Sequence, residues 1–175
     1  CKNLNNSIQY FNKAVSNALK KSSHKHPVDE IMKKNKNIED RTSCCVFSID
    51  PNGCQDFDDA FGLIETAEGY VMSIYIADVI VWIEHLELWK SFTDRVSTIY
   101  FPDKKRPMLP SILSDKLCSL QEGQRRFAFA MDIHIKKNKI VNIEYSKVLI
   151  NVRKNYEYEE PSLLKDSNYS SLLSL

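Results

Sequence analysis

The chain has 175 residues, 43% of them hydrophobic, which is enough to bury one ordinary core and points to one domain. Its 24 basic residues against 23 acidic ones exclude a general electrostatic pull on nucleic acid, so such affinity must come from local arrangement. Five cysteines (Cys1, Cys44, Cys45, Cys54, Cys118) with no Cys-x-x-Cys spacing indicate neither a disulfide framework nor a zinc site, and fit a reducing compartment.

The first residues are polar rather than a secretion signal, and no apolar run approaches membrane-spanning length. The expected location is therefore intracellular, cytoplasmic or nuclear, with no membrane partner. A chain that starts at Cys1 reads as a fragment.

Ile8, Phe11, Val15 and Leu19 recur at helical spacing, with Asn5 and Asn6 as candidate caps and Lys20-Lys21 at the negative end. A break from Ser22 to Pro27 holds His24 and His26, which have no third ligand nearby and read as a solvated linker. A short helix is expected over Val28 to Lys34. From Cys44 the pattern turns to strands, with Cys45 to Ile49, Phe61 to Thr66 and Tyr70 to Ile76 as β-branched or aromatic runs between Gly and acidic turns. Trp82 to Arg95 returns to a helical period. Pro102 to Pro110 suits neither element.

Phe127, Phe129, Met131, Ile133 and Ile135 alternate with smaller or polar residues and predict a half-buried strand that turns at Lys136 to Lys139 into Ile140 to Val152. Tyr158 to Asp166 suggests the start of a helix, and Ser167 to Leu175 a loose end. The expected organisation is a helical lead-in over 1–40, a main folded unit over 41–160 and a truncated tail over 161–175.

The most informative stretch is Asp50-Pro51-Asn52-Gly53-Cys54-Gln55-Asp56-Phe57-Asp58-Asp59, with four aspartates in ten residues. Carboxylates crowded this closely repel one another unless a cation neutralises them, and an all-oxygen cluster suits a hard divalent ion. In an extended segment Asp56 and Asp58 share one face and Asp59 takes the other, so a turn at Pro51-Asn52-Gly53 must fold the chain for all four to converge. An EF-hand loop is excluded, because one starting at Asp56 needs Gly at 61 and Glu at 67, where the chain has Phe61 and Ala67. A solvated acidic turn is the bland alternative.

The spacing of Asp50 and Asp56-Phe57-Asp58-Asp59-Ala60 resembles the signature of the RNase II / RNase R family of 3′→5′ exoribonucleases, worded most like its eukaryotic, exosome-associated branch. Ile76-Ala77-Asp78-Val79, Arg95 to Pro102, Pro107 to Pro110, Leu117-Cys118-Ser119-Leu120 and Arg126-Phe127-Ala128-Phe129 keep the family's order over about residues 41 to 160. The resemblance implies an α+β fold, with a mixed, largely antiparallel sheet and flanking helices. It implies that Asp50, Asp56 and Asp59 ligate Mg²⁺ (Mn²⁺ as a substitute), while Asp58 is tied to positioning the attacking water.

It further implies that Tyr100 packs against RNA near the scissile end and that Tyr158 helps choose RNA over DNA, with Arg95 and Arg126 as candidate phosphate contacts. The substrate would be single-stranded RNA and the products nucleoside 5′-monophosphates. Two departures stand out: the family's His before Ile-Ala-Asp is Tyr75, and its arginine-rich second half has no match. The chain alone is therefore expected to be inactive, needing the C-terminal half of a catalytic domain or other RNA-processing subunits. The alternative readings are a non-catalytic remnant acting as an RNA-binding or scaffold module, and an unrelated metal-dependent phosphatase.

Overall fold

The β-branched and aromatic runs pair edge to edge in the computed structural model, which describes residues 8–21, 27–91, 97–103 and 105–174. The candidate caps Asn5 and Asn6, the linker residues His24 and His26, and Arg95 lie outside these residues. The major strands are β1 (Ile38–Asp50), β2 (Asp59–Thr66), β3 (Gly69–Ala77), β6 (Arg125–Lys136) and β7 (Lys139–Glu157), and a two-stranded ribbon of β4 (Ile99–Tyr100) and β5 (Lys105–Arg106) lies between β3 and β6 in sequence. β1, β2, β3, β6 and β7 follow one another antiparallel, and β7 then pairs parallel with β1 to close a five-stranded barrel. The mixed, largely antiparallel sheet expected from the sequence is thus present, and closure removes its edges.

Closure also decides which faces are buried. A narrow barrel leaves room for small or slender side chains inside. Its interior holds Val46, Ala60, Ala128, Ala130, Val148, Ile150 and Val152, together with the large ring of Tyr75. Gly62 makes space for that ring, since a Cβ there would sit 3.2 Å from Tyr75 Cε2 and 3.1 Å from the Cys45 carbonyl. The expected polarity of β6 is reversed along part of its length. Ala128, Ala130 and Asp132 point inward, while Phe129 is 44% exposed and stacks on Tyr145. Phe127 and Ile133 remain buried on the outer side.

Helices cover one flank. α1 (Ile8–Lys21), α2 (Pro27–Lys34) and α3 (Val79–His85) bury Phe11, Val15, Ile31, Trp82 and Ile83 against Phe127 and Leu149. The single helix expected over Trp82 to Arg95 is shorter and starts earlier. Asp78 caps α3 by accepting from the amides of Ile80 (3.0 Å) and Val81 (3.3 Å), and Glu87 at φ 54° breaks the run before a short 3-10 turn at Trp89–Ser91. Ser167, expected in a loose end, begins α4 (Ser167–Leu173), capped by Asp166; Tyr169 and Leu172 pack with Phe47, Phe61 and Tyr156.

A polar group is buried beside Tyr75. Arg41 makes a bidentate pair with Asp132 (2.9 and 2.8 Å), and Ser73 donates to the same carboxylate at 2.6 Å. Burial pushes the Tyr75 hydroxyl above its ordinary range while Ser73 and Arg41 act against this, so the larger side chain here sits beside the barrel's own polar group. Among the described residues no helix is long and apolar enough to cross a membrane.

Candidate active site

The acidic segment runs from the end of β1 to the start of β2. Asp50 is the last residue of β1, and the Cys54 amide donates to the Pro51 carbonyl at 3.1 Å across a turn in which Gly53 takes φ 78°. Beyond the turn, the chain is tied to Ser119. The Ser119 hydroxyl accepts from the Phe57 amide (3.0 Å) and donates to the Gln55 carbonyl (3.1 Å), and the Leu120 amide donates to the Phe57 carbonyl (2.8 Å). The Ala77 amide donates to the Asp58 carbonyl at 2.9 Å. Leu117-Cys118-Ser119-Leu120 therefore works as a clamp on the acidic loop, a role that a single sequence could not reveal.

These ties send the carboxylates in two directions. Asp56 and Asp58 share one cavity of about 290 Å³ with Ile76, Ala77, Val79, Thr98, Tyr100, Met108, Leu109 and Cys118, consistent with the common face that an extended segment gives them. Tyr100, 75% exposed, stands at this cavity. Asp50 instead is 8% exposed and accepts from Ser48 Oγ at 2.6 Å, with Cys54 Sγ 3.9 Å from its other oxygen. Asp59 opens β2 opposite Ile76.

Electrostatics link the two groups. Burial pushes the Asp50 carboxyl above its ordinary range against the Ser48 hydrogen bond, and the charges of Asp59 and Asp56 push it further. The Cys54 thiol is raised by burial, and Asp50, Asp56 and Asp58 add to the effect. Cys118 is pushed up to about 12, chiefly by burial, which keeps it a protonated, inert thiol beside the cavity.

The mutually repelling oxygen donors fit a hard divalent cation in kind. Among the described residues, however, no three carboxylate, histidine or cysteine groups are gathered closely enough to hold a metal ion. The expected convergence of all four aspartates is not present, because the Ser119 clamp aims Asp56 and Asp58 toward Tyr100 while Ser48 holds Asp50 at the barrel rim.

The other candidates divide. Tyr158 is 61% exposed directly after β7, and its amide donates to the Asp50 carbonyl at 3.0 Å. Arg126 is engaged with backbone: Nε donates to the Ser119 carbonyl and a terminal nitrogen to the Lys116 carbonyl, both at 2.8 Å. These carbonyls sit at the end of a π-helical segment, Ile112–Cys118. Ser48, Ser119 and Asn155 were not singled out from the sequence. The Ser of Ser-Ile-Asp, two residues before Asp50 on the same face of β1, was the available signal for the first.

The RNB domain family profile matches residues 38–171. Exosome complex exonuclease dis3 of Schizosaccharomyces pombe is 33% identical over 158 residues, covering 86% of this chain and 16% of that protein. Exosome complex exonuclease RRP44 of Homo sapiens is 34% identical over 162 residues (91% and 16%), and ribonuclease R of Chlamydia pneumoniae 31% over 155 residues (87% and 22%). The chain thus spans between 16% and 22% of the length of these curated relatives.

Among solved structures, Mycoplasma genitalium RNase R in complex with ribose-methylated single-stranded RNA has a TM-score of 0.69 at 22% identity, covering 95% of this chain and 29% of that one. Yeast Ssd1, a pseudonuclease, has a TM-score of 0.65 at 18% identity (81% and 19%). At these identities the likeness is one of fold.

Proposed function

Because the chain belongs to the RNB domain family, we propose that it carries the metal-binding part of a 3′→5′ exoribonuclease that hydrolyses single-stranded RNA to nucleoside 5′-monophosphates. The observation that carries this reading is the cavity in which Asp56 and Asp58 meet the exposed ring of Tyr100. An aromatic ring beside carboxylates suits an enzyme indifferent to sequence, since every base has a face to stack on.

In this reading Asp50, Asp56 and Asp59 would hold Mg²⁺, with Mn²⁺ as a substitute. What bound Mg²⁺ supplies is an acidified water at neutral pH and an offset for charge on the leaving 3′-oxygen. Asp58, exposed at the same cavity, orients the attacking water. Tyr100 stacks the terminal base, Tyr158 reads the sugar beside Asp50, and Arg95 meets phosphate. Arg126, committed to carbonyls, holds the Ser119 clamp in place.

The positive groups that stabilise charge in the transition state come from a further segment of the catalytic domain or another RNA-processing subunit, in the cytoplasm or nucleus. Losing one such donor typically costs on the order of a hundredfold or more in rate. Incubating the 175-residue chain with 3′-labelled single-stranded RNA and Mg²⁺ should release no mononucleotide, whereas a longer protein that contains it should release them and lose this with Asp58→Asn. Robust release by the chain alone would overturn this division of labour.

A second reading, a non-catalytic module that binds RNA or scaffolds its processing, is favoured by one observation: among the described residues no three groups are gathered to hold a metal. RNA binding by the longer protein without shortening in either Mg²⁺ or Mn²⁺ would select it.

A further inference from the structure

Asp50 stands at the end of a chain of hydrogen bonds whose direction is fixed throughout. The backbone amide of Glu122 donates to Asn155 Oδ1 at 2.7 Å, which settles which end of that side chain is oxygen. The Asn155 nitrogen then donates to the Leu120 carbonyl (2.9 Å) and to Ser48 Oγ (2.8 Å). A serine hydroxyl has a single proton. With Ser48 accepting from Asn155, that proton is directed to Asp50 Oδ2 at 2.6 Å.

The backbone reinforces the arrangement. Ser48 and Asn155 are register partners across the parallel β1–β7 pair, and Asp50 faces Glu157 two positions on. Ser48 is fully buried, so water does not compete for its proton. One Asp50 oxygen is therefore pinned by a short bond, while the other, Oδ1, has the Cys54 thiol as a weak donor at 3.9 Å, a thiol whose single proton is shared with the nearer Asp56 carbonyl at 3.5 Å. A ligand carboxylate held by a hydrogen bond on one oxygen presents the other in a single orientation.

We propose that Ser48 and Asn155 are positioning residues that aim Asp50 Oδ1 at a divalent cation, Asn155 acting through the Ser48 hydroxyl. This inference rests on the reading of Asp50 as a metal ligand. The competing account is a clamp that only joins β1, β7 and the 120–122 turn, in which case its loss lowers stability and leaves cation affinity alone.

Mn²⁺ binding to the whole chain, followed by the electron paramagnetic resonance of the free ion and with melting temperature measured in parallel, separates the two. Ser48→Ala deletes the donor. Asn155→Asp keeps the shape but turns the Ser48 proton away from Asp50, and its added negative charge alone would strengthen cation binding. Both variants should bind Mn²⁺ about tenfold or more weakly than the unaltered chain, a loss typical of removing support behind a ligand. Folded variants that bind as tightly as the unaltered chain would overturn the proposal, and if Ser48→Ala does not fold, Asn155→Asp decides. Unaltered chain that binds no better than Asp50→Asn would overturn the metal reading and this inference with it.

Discussion

The backbone amide of Tyr158 donates to the carbonyl of Asp50 at 3.0 Å, joining the first residue beyond β7 to the last residue of β1. Parallel pairing along the barrel seam, which sets Asp50 opposite Glu157, is what brings these distant positions together. The bond is made by backbone and leaves the Tyr158 ring in solvent.

Tyr158→Ala should therefore leave the melting temperature unchanged within about a degree, because an exposed side chain contributes little to stability. If the ring reads the sugar, the preference for an oligoribonucleotide over its deoxy counterpart should fall, because the 2′-hydroxyl is what distinguishes the two. An equal preference in variant and unaltered chain, measured with the labelled oligonucleotides, would remove Tyr158 from this role.

Asp50→Asn addresses the acidic segment. The Asp50 carboxylate is disfavoured by burial and by Asp59 and Asp56, so the neutral isostere should fold at least as stably at neutral pH while still accepting from Ser48. Its melting temperature should equal or exceed that of the unaltered chain in metal-free buffer, and added Mn²⁺ should raise that of the unaltered chain alone. A marked drop in metal-free buffer would make Asp50 a structural residue.

The sequence was legible where a local rule dominates. The helical stripe of Phe11 and Val15, the Lys136–Lys139 hairpin and the shared face of Asp56 and Asp58 follow from spacing alone. What it hid depends on closure of the sheet. Alternation along β6 marked two faces, but only a narrow barrel assigns Ala128 and Ala130 to the inside and Phe129 to the outside. Ser119 and Asn155 were illegible for the same reason, since their partners at Phe57 and Ser48 are near only once distant segments have paired.

Arg126 gives a prediction against its first reading as a phosphate contact. With its guanidinium donating to the carbonyls of Ser119 and Lys116, Arg126→Ala leaves the partly buried Ser119 acceptor without this donor while water can reach Lys116, a loss of about 1–3 kcal/mol. Urea unfolding should show it. A stable variant with weakened RNA binding would restore the phosphate role.

Asp132 gives the pH dependence. Burial alone would raise its carboxyl, but hydrogen bonds from Arg41 and Ser73 and the Arg41 charge outweigh this and hold it below its ordinary value of 3.8. A carboxyl lowered in the fold binds its proton less readily there than in the unfolded chain. Its stabilisation is thus fully present above about 3.8 and is lost as pH falls through the lower folded value.

Asp132→Asn leaves Arg41, only 15% exposed, with the exposed Glu39 carboxylate (2.7 Å) as its remaining anionic partner, and should cost about 1–3 kcal/mol at pH 7. Because protonation of Asp132 removes the same charge, the gap between variant and unaltered chain should narrow as pH falls below 3.8. Urea titrations at neutral and strongly acidic pH measure the gap at both ends. A gap that stays constant across that range would show that Asp132 acts through packing and not through its charge on Arg41.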